Sequence, residues 1–227
     1  MTMKRVRPIL ALTFDIAIVG FFVGAMVWLC LTDGKTVPNP AEEFLKYFTI
    51  QSNILLAAVA LISIPFDILL LTGKLPFQPK ALRVAFLAVT TGTTITMLVA
   101  SFFLAPTIGV KWVFGNYNFI FHLVTPLLGV IRVIFFETGK GKCRFYFAFF
   151  GMIHLCIYGI VYLTNVVIHD GYGQAKYDWY GFGANGLGMG ILSFLIIFAL
   201  SFGLCFGLLS LQNLVIKKTS AEKLESK

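Results

Sequence analysis

Charge is what this 227-residue sequence has least of: Asp, Glu, Lys and Arg together make up 12% of it, about half of what a soluble domain carries. So little charge cannot cover a globular surface, which argues against a soluble enzyme, a nucleic-acid-binding domain and a disordered chain alike. Recognisable motifs are also lacking. There is no HExxH, no GxSxG, no P-loop and no CxxC, so neither a metal nor a cofactor is expected. The four cysteines, at 30, 143, 156 and 205, have no metal-ligand spacing and read as small apolar residues. No lysine lies within the last apolar segment, which argues against a rhodopsin-like Schiff base. What remains is 58% hydrophobic and 15% aromatic, with a mean hydropathy of +0.88.

The few charges punctuate the chain. Uncharged intervals run over 16–32, 47–66, 84–110, 112–131, 145–169 and 179–216, each long enough for a helix that crosses a bilayer, for which about 17–25 residues suffice. Backbone groups in hydrocarbon must be satisfied within their own segment, so helix is the default. The expected fold is an all-α, single-domain bundle of six transmembrane helices at about 8–31, 47–72, 81–105, 117–137, 144–168 and 186–216, followed by a polar tail over 217–227. The amino-terminal run resembles a signal peptide but is too long and lacks a small-x-small cleavage site, so an uncleaved first span is expected. Thirteen of the 18 Lys and Arg residues fall on the side holding both termini and the 73–83 and 138–144 loops. Four (Lys35, Lys46, Lys111 and Lys176) fall on the other, and Arg132 lies inside a span. The positive-inside rule then places both termini in the cytoplasm of a multi-pass plasma-membrane protein. The basic balance reports topology and no nucleic-acid partner. Trp28, Trp112 and Trp179 are expected at the outer interface.

Polar residues inside the apolar segments are costly unless they face the bundle interior or a wet cavity. The second segment opens Tyr47-Phe48-Thr49-Ile50-Gln51-Ser52-Asn53, and Thr49, Ser52 and Asn53 share one helical face. The fourth opens Tyr117-Asn118-Phe119-Ile120-Phe121-His122, with Asn118 and His122 one turn apart and Pro126 freeing the His122 carbonyl. Thr49 and His122 lie at similar depth, roughly 3–8 Å below the outer interface. A hydroxyl beside an imidazole suggests nucleophile and base, with Gln51, Asn53 or Asn118 orienting the ring or donating to an oxyanion; helix–helix hydrogen bonding by Ser52 and its neighbours is the plainer alternative. The polar, aromatic loop containing His169, Asp170, Asp178, Trp179 and Tyr180 is a candidate cover for a cavity, or an ordinary surface loop. In the inner half, Asp15, Asp67 and Arg132 are expected to form an ion pair, structural or part of a proton or ion path. The threonine-rich run Thr90–Thr96 suggests packing, and His154 is a further candidate for the same cavity. Gly186-x-x-x-Gly190 and Gly203-x-x-x-Gly207 allow close helix approach.

At Tyr47–Asn53 and Asn118–Pro126 the sequence resembles bacterial six-span membrane proteins whose second helix starts YFTxQSN. These look like distant relatives of the androgen-induced protein family, whose members hydrolyse fatty acid esters of hydroxy fatty acids. The family's early Thr and its Asn-x-x-x-His pair are matched by Tyr47-Phe48-Thr49 and Asn118-x-x-x-His122; its later aromatic loop is matched loosely by Asp178-Trp179-Tyr180-Gly181-Phe182. The resemblance implies a Thr49 nucleophile, a His122 partner and a membrane lipid or lipid-like substrate. The expected function is therefore an intramembrane Thr/His acyl-ester hydrolase or acyltransferase near the outer leaflet. The alternative is a non-enzymatic membrane protein that binds or moves a small solute, ion or lipid.

Overall fold

A computed structural model describes residues 3–32 and 40–225, with side chains described over 6–32 and 43–217. Most of these residues are helical, with no strand among them, and six helices are long and apolar enough to cross a membrane. They are α1 (Met3–Thr32), α2 (Phe48–Leu71), α3 (Lys80–Ile108), α4 (Asn116–Phe135), α5 (Phe145–Ile168) and α6 (Leu187–Glu225). Of the cations used to orient the chain, Lys35 and Lys227 lie outside the described residues, as do the side chains of Lys4, Arg5, Lys218 and Lys223. Beyond the last apolar span α6 continues into the polar tail as far as Glu225; Lys217–Glu225 contains neither Gly nor Pro to stop it.

Helix α3 is the hub. It packs against α2, α4, α5 and α6 and is both the most buried and the least apolar of the six spans. A helix enclosed by protein need not satisfy lipid, which explains how it carries Thr90, Thr91, Thr93, Thr94 and Thr96, all buried. Four of the five hydroxyls return to their own helix, for example Thr91 to the Leu87 carbonyl and Thr96 to the Gly92 carbonyl, as threonines in spans tend to do. Helices α1 and α2 form the most extensive single pairing.

Close helix approach comes from glycines of α5 and from Gly190 of α6, where a Cβ would lie 3.0 Å from the Leu163 side chain. A Cβ placed on Gly151 would lie 2.7 Å from the Cys205 Cβ, and one on Gly159 would lie 2.8 Å from the Phe194 ring. Gly203 and Gly207 have no atom within 4 Å of such a Cβ among the described residues; they line an apolar groove with Leu98 and Leu211. The packing role expected for them is therefore not what this fold uses them for.

Two helices widen by one residue per turn at the same end of the bundle. In α4 the turn Ile120–Val124 is a π-turn, closed by Thr125 N–H to the Ile120 carbonyl. In α3 the turn Ala100–Leu104 is another, closed by Ala105 N–H to the Ala100 carbonyl. In each, the residue that closes the turn is followed directly by a proline, Pro126 or Pro106. Proline supplies no N–H, so the helix shifts register just before it.

Candidate functional site

The first turn of α2 and the π-turn of α4 stand side by side. Thr49, half-buried, sits in that first turn, and His122, 8% exposed, sits in the π-turn. Thr49 Oγ1 lies 3.4 Å from His122 Nε2. His122 Nδ1 lies 2.6 Å from the carbonyl oxygen of Val113. A carbonyl only accepts, so Nδ1 carries the proton, and in the neutral ring Nε2 is left as an acceptor facing the Thr49 hydroxyl. Val113 ends a single helical turn, Val110–Val113, so its carbonyl has no helical donor and is free for the ring. A backbone oxygen thus fixes the tautomer, a role often filled by a carboxylate.

Asn53 holds the two helices in this relation. Its Nδ2 donates to the Thr49 carbonyl at 2.8 Å and to the Phe121 carbonyl at 3.1 Å, and its Oδ1 accepts from the Thr125 hydroxyl. The Phe121 contact follows from the π-turn. The Thr125 amide is committed to Ile120, and position 126 is proline, so neither residue can donate to Phe121. Asn53 supplies the missing donor across the helix boundary. Ser52 Oγ also donates to the Thr49 carbonyl, at 3.1 Å, and lies 3.3 Å from Thr96 Oγ1.

The other residues singled out from the sequence are distributed as follows. Asn118 reaches back to the Trp112 carbonyl at 3.4 Å and does not line the cavity; the π-turn beginning at Ile120 breaks the register that would have set it beside His122. Gln51 Nε2 donates to the Leu45 carbonyl at 2.7 Å, leaving Oε1 to accept from His154 Nε2 at 3.3 Å. His154 stacks on Phe48 with ring centroids 4.6 Å apart and lines a neighbouring groove with Lys46, Gln51 and Trp179. His169 and Asp170 are exposed at the end of α5, where His169 stacks on Tyr177 and takes no place in the cavity wall.

Asp178, by contrast, is buried at the heart of the loop. It accepts from the Tyr162 hydroxyl and from the Gly173 and Gly183 amides. Trp179 is turned inward, donating to the Tyr158 hydroxyl at 2.9 Å, whereas Trp28 and Trp112 are exposed. Tyr180 Oη accepts from the Phe48 amide at 3.0 Å, joining the loop to the amino end of α2. Burial pushes the Tyr180 phenol up to about 12.

These residues surround a small, partly open cavity. Its polar lining is Thr49, Thr96, His122, Tyr158 and Tyr180; the remainder is apolar, including Phe48, Ile95, Val99, Leu155, Phe182 and Phe194. Both π-turns contribute to the wall, His122 from one and Phe103 and Leu104 from the other. No cluster of metal-ligating side chains occurs among the described residues.

A separate charged cluster fills the opposite end of the bundle. Asp67 lies eighteen residues beyond Thr49 on α2, about 27 Å along the axis. Arg132 Nε lies 3.0 Å from Asp15 Oδ1, and its Nη2 lies 3.3 Å from Asp15 Oδ2 and 3.6 Å from Asp67 Oδ2. Gln78 donates to Asp67 Oδ1 at 2.6 Å. Arg83, placed among the loop cations from the sequence, is 2% exposed. It donates to Gln212 Oε1 and the Gly141 carbonyl and lies 3.9 Å from Glu137.

The fold thus defines an all-helical, six-span membrane protein with a polar-tipped apolar cavity near one end. No protein-family model, curated protein or solved structure matches the chain.

Proposed function

We propose that this chain is an intramembrane acyl-ester hydrolase, with Thr49 as nucleophile and His122 as general base. The observation that carries the reading is the pairing of Thr49 Oγ1 and His122 Nε2 at 3.4 Å inside an apolar cavity. Such bonds are commonly long before substrate binds and tighten in the complex. Thr49 Oγ1 attacks the ester carbonyl as His122 Nε2 takes the hydroxyl proton, while the Val113 carbonyl steadies the imidazolium through Nδ1–H. The tetrahedral adduct expels the alcohol, which takes the proton from Nε2. Water, activated by the same nitrogen, then cleaves the acyl-threonine. The cavity wall favours a hydrocarbon chain beside the ester, a lipid or lipid-like substrate.

The finer placement belongs to the same proposal. The Lys and Arg distribution puts both termini in the cytoplasm and the cavity near the outer leaflet of the plasma membrane. The likeness of Tyr47–Asn53 and Asn118–Pro126 to the androgen-induced protein family supports the chemistry. The test is labelling of the purified protein in nanodiscs by a fluorophosphonate probe. Thr49→Ala abolishes labelling, and Thr49→Ala and His122→Ala each lower hydrolysis of p-nitrophenyl octanoate by at least about 100-fold. Unimpaired turnover in both variants would end the proposal.

A further inference from the structure

We infer that the Tyr180 phenol is the hydrogen-bond donor that holds the oxyanion formed when Thr49 attacks, a step that rests on the hydrolase reading above. Attack makes the Thr49 Oγ1–carbon bond and moves the carbonyl π pair onto oxygen. That oxygen then carries full negative charge among apolar side chains, where an unpaired charge is costly, so a donor is required.

Elimination leaves one side chain. Five polar side chains line the cavity. Thr49 is the nucleophile, and His122 shuttles its proton with Nδ1–H already committed to Val113. The Thr96 hydroxyl donates to the Gly92 carbonyl at 3.2 Å. The Tyr158 hydroxyl donates to the Lys46 carbonyl at 2.7 Å and accepts from Trp179. Tyr180 differs, because its oxygen accepts from the Phe48 amide and no backbone carbonyl among the described residues takes its proton. Thr49 and Tyr158 are the two cavity side chains that interact with this phenol, and the Tyr158 proton is held by the Lys46 carbonyl.

The phenol is also prepared for the task. Phe48 opens α2, so its amide is one of the unpaired donors at a helix amino terminus. A hydrogen bond into the phenol oxygen makes the O–H a better donor. The ring is fixed from behind: the Tyr180 amide donates to Tyr162 Oη at 3.2 Å, and the Tyr162 hydroxyl donates to Asp178. Such a donor needs no reorganisation at the moment of reaction. The proton stays on Tyr180 throughout; His122 protonates the leaving alcohol.

The experiment compares Tyr180→Phe with the unaltered protein and with Thr49→Ala and His122→Ala, in nanodiscs, on p-nitrophenyl octanoate. Loss of one oxyanion donor lowers kcat by about 100- to 1000-fold, with KM within about threefold. Binding of octyl trifluoromethyl ketone, which forms a tetrahedral adduct, weakens in parallel, while inhibition by octanoate is unchanged. A Tyr180→Phe kcat within about threefold of the parent, with Thr49→Ala and His122→Ala inactive, overturns the Tyr180 assignment alone. Equal turnover by the parent and Thr49→Ala, or none by the parent, overturns the hydrolase reading and this inference with it. Should Tyr180→Phe fail to fold, 2,3,5-trifluorotyrosine at position 180 keeps the ring and its hydrogen bonds while acidifying the phenol. The alkaline loss of kcat then moves to lower pH, because a phenolate cannot donate; an unmoved limb overturns the inference.

Discussion

Replacing Asn53 with Leu, similar in volume but without polar atoms, removes two hydrogen bonds between α2 and α4: to the Phe121 carbonyl and from the Thr125 hydroxyl. Interhelical hydrogen bonds within membranes average about 0.6 kcal/mol each, so the pair accounts for about 1 kcal/mol. Stranding the Phe121 carbonyl costs more. Thr125 N–H is spent on Ile120 and Pro126 has none, so that oxygen loses its donor, at a cost of about 1–3 kcal/mol. Asn53→Leu is therefore expected to destabilise by about 2–4 kcal/mol. Pro126→Ala returns an amide that can reach the Phe121 carbonyl in the same widened register. In that background Asn53→Leu should cost only about 1 kcal/mol. Reversible unfolding of the four proteins in mixed micelles with increasing SDS, followed by tryptophan fluorescence, measures the coupling. Costs that add to within about 0.5 kcal/mol, as for independent sites, would refute the account of the π-turn. Activity provides a second readout: a shift of about 1 Å between Thr49 and His122 should lower kcat by about 100-fold.

The remaining predictions concern packing and charge. Arg132→Met leaves Asp15 and Asp67 buried without their guanidinium; removing one side of a buried pair costs about 3–5 kcal/mol. Membrane abundance and SDS midpoint should fall accordingly and recover in Arg132→Met combined with Asp15→Asn and Asp67→Asn. Normal abundance of the single variant would sink the pairing argument. Gly151→Ala drives a methyl to 2.7 Å from the Cys205 Cβ and should destabilise by about 1–3 kcal/mol, with Cys205→Gly restoring most of the loss. An unchanged midpoint in Gly151→Ala would show that α5 and α6 separate freely.

The six spans could be read because charge is scarce and falls between them. The expected limits of the second span, 47–72, lie within one residue of Phe48–Leu71 at each end. The third runs on to Ile108 because Pro106 follows a π-turn and sits in the first turn of the helix that resumes there. The burial of Arg83 has no local signal. Its place beside a loop suggested a surface cation, but Gln212, Gly141 and Glu137, all remote in sequence, gather around it. At the candidate site, the polar face of the second segment was legible from its spacing, whereas the π-turn separates Asn118 from His122 in the fourth. The separation of the two segments was not legible, since it depends on Asn53 answering a carbonyl that Pro126 leaves open. The Val113 carbonyl carries no side-chain signature at all. Thr125, a hydroxyl immediately before a proline, was the one overlooked signal in plain view.

The bond between Tyr180 and the Phe48 amide has a consequence for how molecules reach the cavity. It fastens the loop over the cavity to the helix that bears Thr49. Phe103, 57% exposed on the flank of α3, stands at the cavity's edge, with Ile197 of α6 on the same rim. Under the proposed hydrolase reading, a lipid ester enters past these side chains, sideways from the bilayer.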